Sequence, residues 1–146
     1  MDKMKIRLLR ENAAAPARAT EGSAGYDLRA AVDGPVRIEP GKTAMIPTGI
    51  AIELPRGYAA FIFARSGLAS RHGIAPGNAV GVVDSDYRGE IAVGLTCHHT
   101  EVYTIQPGER IAQMVIMPVE TPELIVCEEL GSTQRGDGGF GSTGKL

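Results

Sequence analysis

The run Asn78-Ala-Val-Gly-Val-Val-Asp84-Ser-Asp86-Tyr87-Arg88-Gly89-Glu90 gathers the side chains best suited to chemistry. A carboxylate at the edge of a buried strand, such as Asp84, can orient a water and take its proton. The hairpin around it exposes backbone donors and acceptors that can read the edge of a base. The plainer reading is a hairpin closed by Asx-type turns. Arg65-Ser66-Gly67 follows the apolar run Phe61–Ala64. It offers a guanidinium fork, a hydroxyl, and a glycine that lets backbone approach a ligand. Taken alone, the tripeptide reads first as an N-capping serine opening a short helix.

The last sixteen residues, Gly131 to Leu146, hold six glycines and almost nothing to bury. Such a segment does not offset its own ordering entropy, so a mobile arm that orders on binding is expected. Gly139-Phe-Gly141-Ser-Thr-Gly144 fits a dinucleotide fingerprint, but the helix and acidic residue that motif needs do not follow. Gly139–Lys145 resembles a phosphate-binding loop, yet Leu146 stands where a magnesium-binding Ser or Thr belongs. Arg135-Gly-Asp137 matches an adhesion tripeptide by chance. What survives is the physics: a glycine-rich loop with Arg135, Ser142 and Thr143 can present several donors to phosphate oxygens. Phe140 either packs on the parent domain or stacks on a ligand ring. Cys97-His98-His99 has no second Cys/His cluster to complete four ligands, so it reads as a hairpin end, not a metal site.

Strands must position these groups. Ile50, Ile52 and Leu54 alternate with Ala51 and Glu53, the period of a half-buried strand. Val36 and Ile38, and Ile6 and Leu8, alternate likewise with charged neighbours. Phe61–Phe63, Ala79–Val83, Ile91–Thr96, Val102–Ile105 and Ile111–Met117 read as further strands. Pro-Gly or Pro-x-Gly turns separate them, which suggests a sandwich, barrel or jelly roll. Ser66–Arg71 alone could be helical, for about two turns.

The 146 residues are a soft prior for one domain. Nineteen glycines, nine prolines and only 5% aromatics exclude a helical bundle or coiled coil. Net charge of −2 excludes a global basic field, hence no nucleic acid and no anionic membrane as partner. An anionic ligand must therefore be held locally. Two cysteines make no disulfide framework, and no long apolar run is present, so a cytoplasmic protein is expected.

Five segments, in order, resemble the dUTPases of the trimeric all-β type. They are Ala24-Gly-Tyr-Asp-Leu28, Arg65-Ser-Gly67, Gly81-Val-Val-Asp-Ser-Asp-Tyr-Arg-Gly89, Gly108-Glu-Arg-Ile-Ala-Gln113 and Arg135–Gly144. The resemblance implies an all-β, distorted jelly-roll or β-clip barrel with one short helix. It divides the chain into a domain at 1–130 and a flexible arm at 131–146 that closes over the active site. The implied reaction is hydrolysis of dUTP to dUMP and pyrophosphate, which keeps uracil out of DNA and supplies dUMP for thymidylate synthesis. Asp84 matches the carboxylate that activates the water attacking the α-phosphorus, and Gln113 a ligand near that phosphate. Asn78 and the backbone of Val82 and Val83 match the uracil-pairing hairpin. Tyr87 matches the ring that packs under deoxyribose and excludes a 2′-hydroxyl. Arg65, Ser66 and Gly67 match the phosphate motif. Arg135, Phe140, Ser142 and Thr143 match the arm, with Arg135 on the γ-phosphate and Phe140 over uracil. Mg2+ is implied as cofactor, held by substrate phosphates and water near Asp27, with no direct protein ligand. A homotrimer is implied, in which one subunit gives the first, second and fourth motifs, another the hairpin, and the third the arm.

Two alternatives remain at this level. A dCTP deaminase shares the fold but needs a glutamate on the strand after the aspartate turn, where this chain has Gly94. A non-catalytic nucleotide-binding module would be marked by loss of Asp84, Arg65 or the arm, and none is lost. The departures from the pattern are Tyr26 beside Asp27, expected to touch packing near the sugar, and Arg88 after Tyr87.

Overall fold

The computed structural model describes residues 3–139. Short strands follow one another: β1 (Lys5–Leu8), β2 (Tyr26–Arg29), β3 (Val36–Ile38), β4 (Thr43–Pro47), β5 (Ile50–Glu53) and β6 (Tyr58–Ala64). A single helix, α1 (Ser66–His72), then precedes β7 (Ile74–Pro76), β8 (Gly81–Val83), β9 (Ala92–Cys97), β10 (Tyr103–Ile105) and β11 (Arg110–Pro118). The strands form four small sheets, β1-β5, β10-β3, β2-β11-β6-β8 and β4-β9-β7, rather than one closed ring. All these pairings are antiparallel. The described residues are all-β with one short helix, as the turns and alternation predict.

Alternation decides what each strand buries. Along β9, Val93, Leu95 and Cys97 turn inward while Ala92 is exposed. The nine-residue β11 is the spine, pairing with β2 on one side and β6 on the other. Leu28, Ile38, Ile46, Ile50, Ile74, Leu95, Ile105, Ile111 and Met114 are each at most 1% exposed and form one core. Each such aliphatic side chain contributes about 1.5–3 kcal/mol by burial, which is how a core without tryptophan suffices. Helix α1 ends at Gly73, whose φ of 63° lets its N–H reach back to the Ala69 carbonyl.

Several elements depart from the sequence expectation. The strand expected over Ala79–Val83 begins only at Gly81, because Ala79 adopts a left-handed φ of 63° within a tight turn. β2, β4 and β7 are too short or too proline-interrupted to show a period. β1 is a strand, but all four of its residues are exposed, since its only partner is β5. Ser66 is not the helix cap. Arg65 takes that position, in extended conformation, and its side chain makes no capping bond.

Candidate active site

The catalytic and binding candidates fall into two groups, one at the C-terminal end of β6 and one along the edge where β8 pairs with Ala60–Ile62. At the C-terminal end of β6, β2 and β11 place Asp27 directly across from Gln113, and Gln113 also faces Phe63 of β6. The Gln113 amide donates to the Ala64 carbonyl at 2.9 Å. A Cβ at Gly25 would stand 2.7 Å from the Gln113 Oε1, so glycine there leaves room for that side chain. Arg65 leaves the end of β6 and donates from Nε to Asp27 Oδ1 at 2.9 Å. Arg110 donates from Nη1 to Asp27 Oδ2 at 3.1 Å, and Arg65 Nη1 reaches the Arg110 carbonyl at 3.3 Å. A register shift in β11 between Arg110 and Ala112 re-aims the arginine toward Asp27. Asp27, Arg65 and Gln113 line a depression of about 300 Å3 with Ser66 and Gly67. Two guanidinium groups around one carboxylate leave local positive charge, which suits an anion.

Arg110 was not singled out by the sequence reading. Its signal was available, three residues before Gln113 in the fourth motif. Glu109 beside it does not compete for the arginine. Its carboxylate accepts from the Tyr103 hydroxyl at 2.6 Å and from the Gln106 N–H at 2.8 Å. Burial, then that hydrogen bond, pushes the Tyr103 phenol up to about 12. The stability gained there is present below the ordinary phenol value and lost as pH rises through about 12.

Along the other edge, β8 pairs with Ala60–Ile62 of β6 on one side and ends its sheet on the other. Its open edge presents unpaired N–H and C=O groups, the feature that can read a base without side chains. Asn78 stands over Gly81, with its amide nitrogen 3.7 Å from the position a Cβ would take. Val82, Val83, Asp84, Tyr87 and Glu90 join them around a cleft of about 260 Å3. Asp84 is exposed at the end of β8. The Tyr87 hydroxyl donates to the Glu90 carbonyl at 3.0 Å. Its ring covers Gly89, where any Cβ would overlap the phenol carbons. The Glu90 carboxylate accepts both Nε and Nη2 of Arg10, at 2.8 and 2.9 Å. Hydrogen bonding from Arg10 outweighs desolvation and holds the Glu90 carboxyl below the usual carboxylate range. That pair contributes stability at neutral pH and loses it as pH falls through the lowered value.

Both sequence departures have structural explanations. Arg88 donates to the carbonyls of Ser85 and Tyr87 at 2.6 and 2.9 Å, so it braces its own turn. Tyr26 alternates to the face of β2 opposite Asp27, with the Arg18 guanidinium 5.9 Å from its ring centre. It therefore lies away from the Asp27–Arg65 pocket. Arg135 is exposed and donates to the Gly138 carbonyl at 2.9 Å, in a local turn that touches neither pocket. Phe140, Ser142 and Thr143 lie outside the described residues. Cys97 is buried at the end of β9 with its thiol directed at the Glu101 carbonyl, 3.2 Å away. Among the described residues, no three His, Cys, Asp or Glu side chains are grouped to hold a metal directly.

An all-β domain with an open strand edge beside one cleft and an arginine–carboxylate pocket beside another can hold a base and an anion, the plan of a nucleotide hydrolase. The dUTPase family model matches residues 11–144. The deoxyuridine 5'-triphosphate nucleotidohydrolase of Desulfitobacterium hafniense (strain DSM 10664 / DCB-2) is 52% identical over 145 residues, covering 97% of this chain and 96% of its own length. The dUTPase of Staphylococcus bacteriophage 80alpha, solved with dUPNHPP, superposes with a TM-score of 0.90 at 32% identity, covering 99% of each chain. A point variant of the phage phi11 dUTPase of S. aureus, described with a structural Mg(II) ion, gives a TM-score of 0.80 at 30% identity. That match covers 88% of this chain and 98% of the phage one. The chain belongs to the dUTPase family, and its reaction is the hydrolysis of dUTP to dUMP.

Proposed function

We propose that dUTP is hydrolysed at a site assembled from different copies of this chain in a homotrimer, with Asp84 of one copy activating water against the α-phosphorus. The observation that supports this is the separation of two groups assigned to the same phosphate. Gln113 faces Phe63, whereas continuing the β6–β8 ladder from Ala60↔Val83 sets Asp84 beside Ala59. Four residues of strand span about 13 Å, and β11 and β8 flank β6 about 10 Å apart. Within one protomer these two side chains do not meet on one phosphorus, which supports completion of each site by a neighbour's pocket.

The strap that follows β11 supports the same reading. Leu124, Ile125, Val126 and Leu130 are 88%, 81%, 100% and 89% exposed. Four apolar side chains this bare need a cover, and an identical protomer supplies one. Exchanging Leu124, Ile125 and Val126 for aspartate is expected to give a folded protomer sedimenting near 15.4 kDa instead of three times that mass. A trimer that survives the exchange assigns the contact elsewhere.

The chemistry then divides by residue. The β8 edge and Asn78 pair with uracil, where a 5-methyl group clashes and a 4-amino group mispairs. Mispaired polar groups are rejected strongly because they remain buried and unsatisfied. Tyr87 packs on deoxyribose. Arg65, Ser66, Gly67 and Gln113 hold the triphosphate in line for attack. Asp84 takes the proton from the attacking water, and pyrophosphate leaves. Residues 131–146 close over the bound nucleotide, with Arg135 on the γ-phosphate, Ser142 and Thr143 on phosphate oxygens and Phe140 over the base.

Mg2+ fits this pocket through water rather than through direct ligands. An ionised carboxylate has about four acceptor positions, and the two arginines use two on Asp27. The remaining two can accept from metal-bound water, the form in which Mg2+ is usually held beside phosphates. When bound, the ion supplies charge neutralisation on the triphosphate. Two free cysteines, Cys97 and Cys127, fit a cytoplasmic setting. Among the described residues no helix is long and apolar enough to cross a membrane.

The test is 31P NMR of the protein with dUTP, dCTP, dTTP and UTP, in 18O-labelled water, with Mg2+ or with a chelator. We expect dUMP and pyrophosphate from dUTP alone, label in dUMP, and a large loss of rate on chelation. Label in pyrophosphate would move the attack to the β-phosphorus. Tight dUTP binding without turnover would make the chain a binding module.

A further inference from the structure

Besides Asp84, the base-and-sugar cleft has one other charged side chain, Glu90, and the mechanism above leaves it unused. Its carboxylate takes three donors. Oε1 accepts from Arg10 Nε at 2.8 Å and from the Gly49 N–H at 2.9 Å, and Oε2 accepts from Arg10 Nη2 at 2.9 Å. A two-point guanidinium fork fixes direction as well as distance. The carbonyl of the same residue accepts the Tyr87 hydroxyl at 3.0 Å.

Both partners of Glu90 are themselves fixed by strand pairing. β1 runs against β5 with Leu8 across from Ile50, and the Leu9 N–H donates to the Gly49 carbonyl at 2.7 Å. Arg10 therefore emerges from a fixed strand end. Gly49 has φ of 69°, and a Cβ there would stand 2.5 Å from that of Ala13. Glycine is thus required for the turn that offers its N–H to Glu90. The Ile91 N–H donates to the Ile50 carbonyl at 2.8 Å, which ties the backbone just after Glu90 to the same strand.

Tyr87 is otherwise poorly restrained. It is 46% exposed, and exposed side chains change rotamer in picoseconds to nanoseconds. A ring that excludes a hydroxyl by contact must not swing aside, because one added hydroxyl is a small difference to discriminate. We infer that Arg10 and Glu90 are positioning residues for sugar selectivity: they lock the carbonyl that anchors the Tyr87 hydroxyl, and so hold the ring against the 2′ position. This rests on the assignment of Tyr87 to the deoxyribose.

The measurement is kcat/KM for dUTP and for UTP in Arg10→Gln, Arg10→Lys, Glu90→Ala, Glu90→Gln, Tyr87→Phe and Tyr87→Ala. Arg10 is 44% exposed in its side chain, so Arg10→Gln removes the fork without opening the core. We expect Arg10→Gln, Glu90→Ala and Tyr87→Phe each to lower the dUTP:UTP ratio by about tenfold, chiefly by raising kcat/KM for UTP. Arg10→Lys and Glu90→Gln should restore part of it, since each keeps some of the hydrogen bonds. Melting temperatures report separately on any loss of fold. An unchanged ratio in Arg10→Gln and Glu90→Ala, with the ratio collapsing in Tyr87→Ala, overturns the anchor and leaves the Tyr87 assignment standing. An unchanged ratio in Tyr87→Ala overturns that assignment and this inference with it.

Discussion

Asp84→Asn is expected to bind dUTP as the parent does and to hydrolyse it about 10²–10⁴-fold more slowly, the range that loss of a general base produces. The exchange is nearly isosteric and keeps an acceptor oxygen toward the water. What it removes is the charge and the ability to take a proton. Affinity should survive, because the groups assigned to it lie elsewhere: the β8 edge and Asn78 on the base, Arg65 and Gln113 of a neighbouring copy on the phosphates. Asp86, two residues on and also exposed, serves as the comparison. It belongs to the Arg88-braced turn, so Asp86→Asn should stay within a few-fold of the parent. Calorimetric dUTP affinity alongside single-turnover rates separates binding from chemistry. A kcat near normal in Asp84→Asn would take the water-activating role from this residue.

The sequence carried the individual parts of this site better than their placement. Period-two alternation marked β1, β3 and β5; in β3 it reports one buried face, whereas Ala51 is buried as well in β5 and β1 is exposed throughout. β7 was hidden because its Pro76 and the following Gly77 read as turn punctuation. β4 leaves Met45 two-thirds exposed, which blurs its alternation. A strand start at Ala79 is what the sequence suggests, because an alanine gives no sign of a left-handed φ; only the tertiary turn imposes it. Ser66 was read as a cap from local chemistry, yet Arg65 occupies that position because β6 delivers the chain in extended form. The motifs named Asp27, Arg65 and Gln113 as neighbours in function. Nothing local could say that Arg110 closes the second side of Asp27, since a bulge in β11 aims it there. The Arg10–Glu90 pair spans eighty residues and arises only from β1 lying on β5.

Removing residues 131–146 should leave a folded, assembled and nearly inactive protein. The core lies wholly upstream, in elements that end with β11 at Pro118. The strap that bears Leu124, Ile125, Val126 and Leu130 is also retained, so the contact proposed to hold copies together survives. Melting temperature and sedimentation should therefore match the parent. On the proposed reading, what is lost is closure: the donors of Arg135, Ser142 and Thr143 on the phosphates, the Phe140 ring over uracil, and exclusion of bulk water around the attacking one. Dry, preorganised donors are worth far more at a developing charge than the same donors in water. The loss should fall on kcat and KM together, by about a hundredfold or more in kcat/KM, comparable to deleting an oxyanion donor. Cutting instead after Pro118 removes the strap as well, and should dissociate the assembly. A truncation at residue 130 that melts early or falls apart would make the arm structural and assign the missing catalysis to lost assembly. One that keeps full activity would remove the arm from the site altogether.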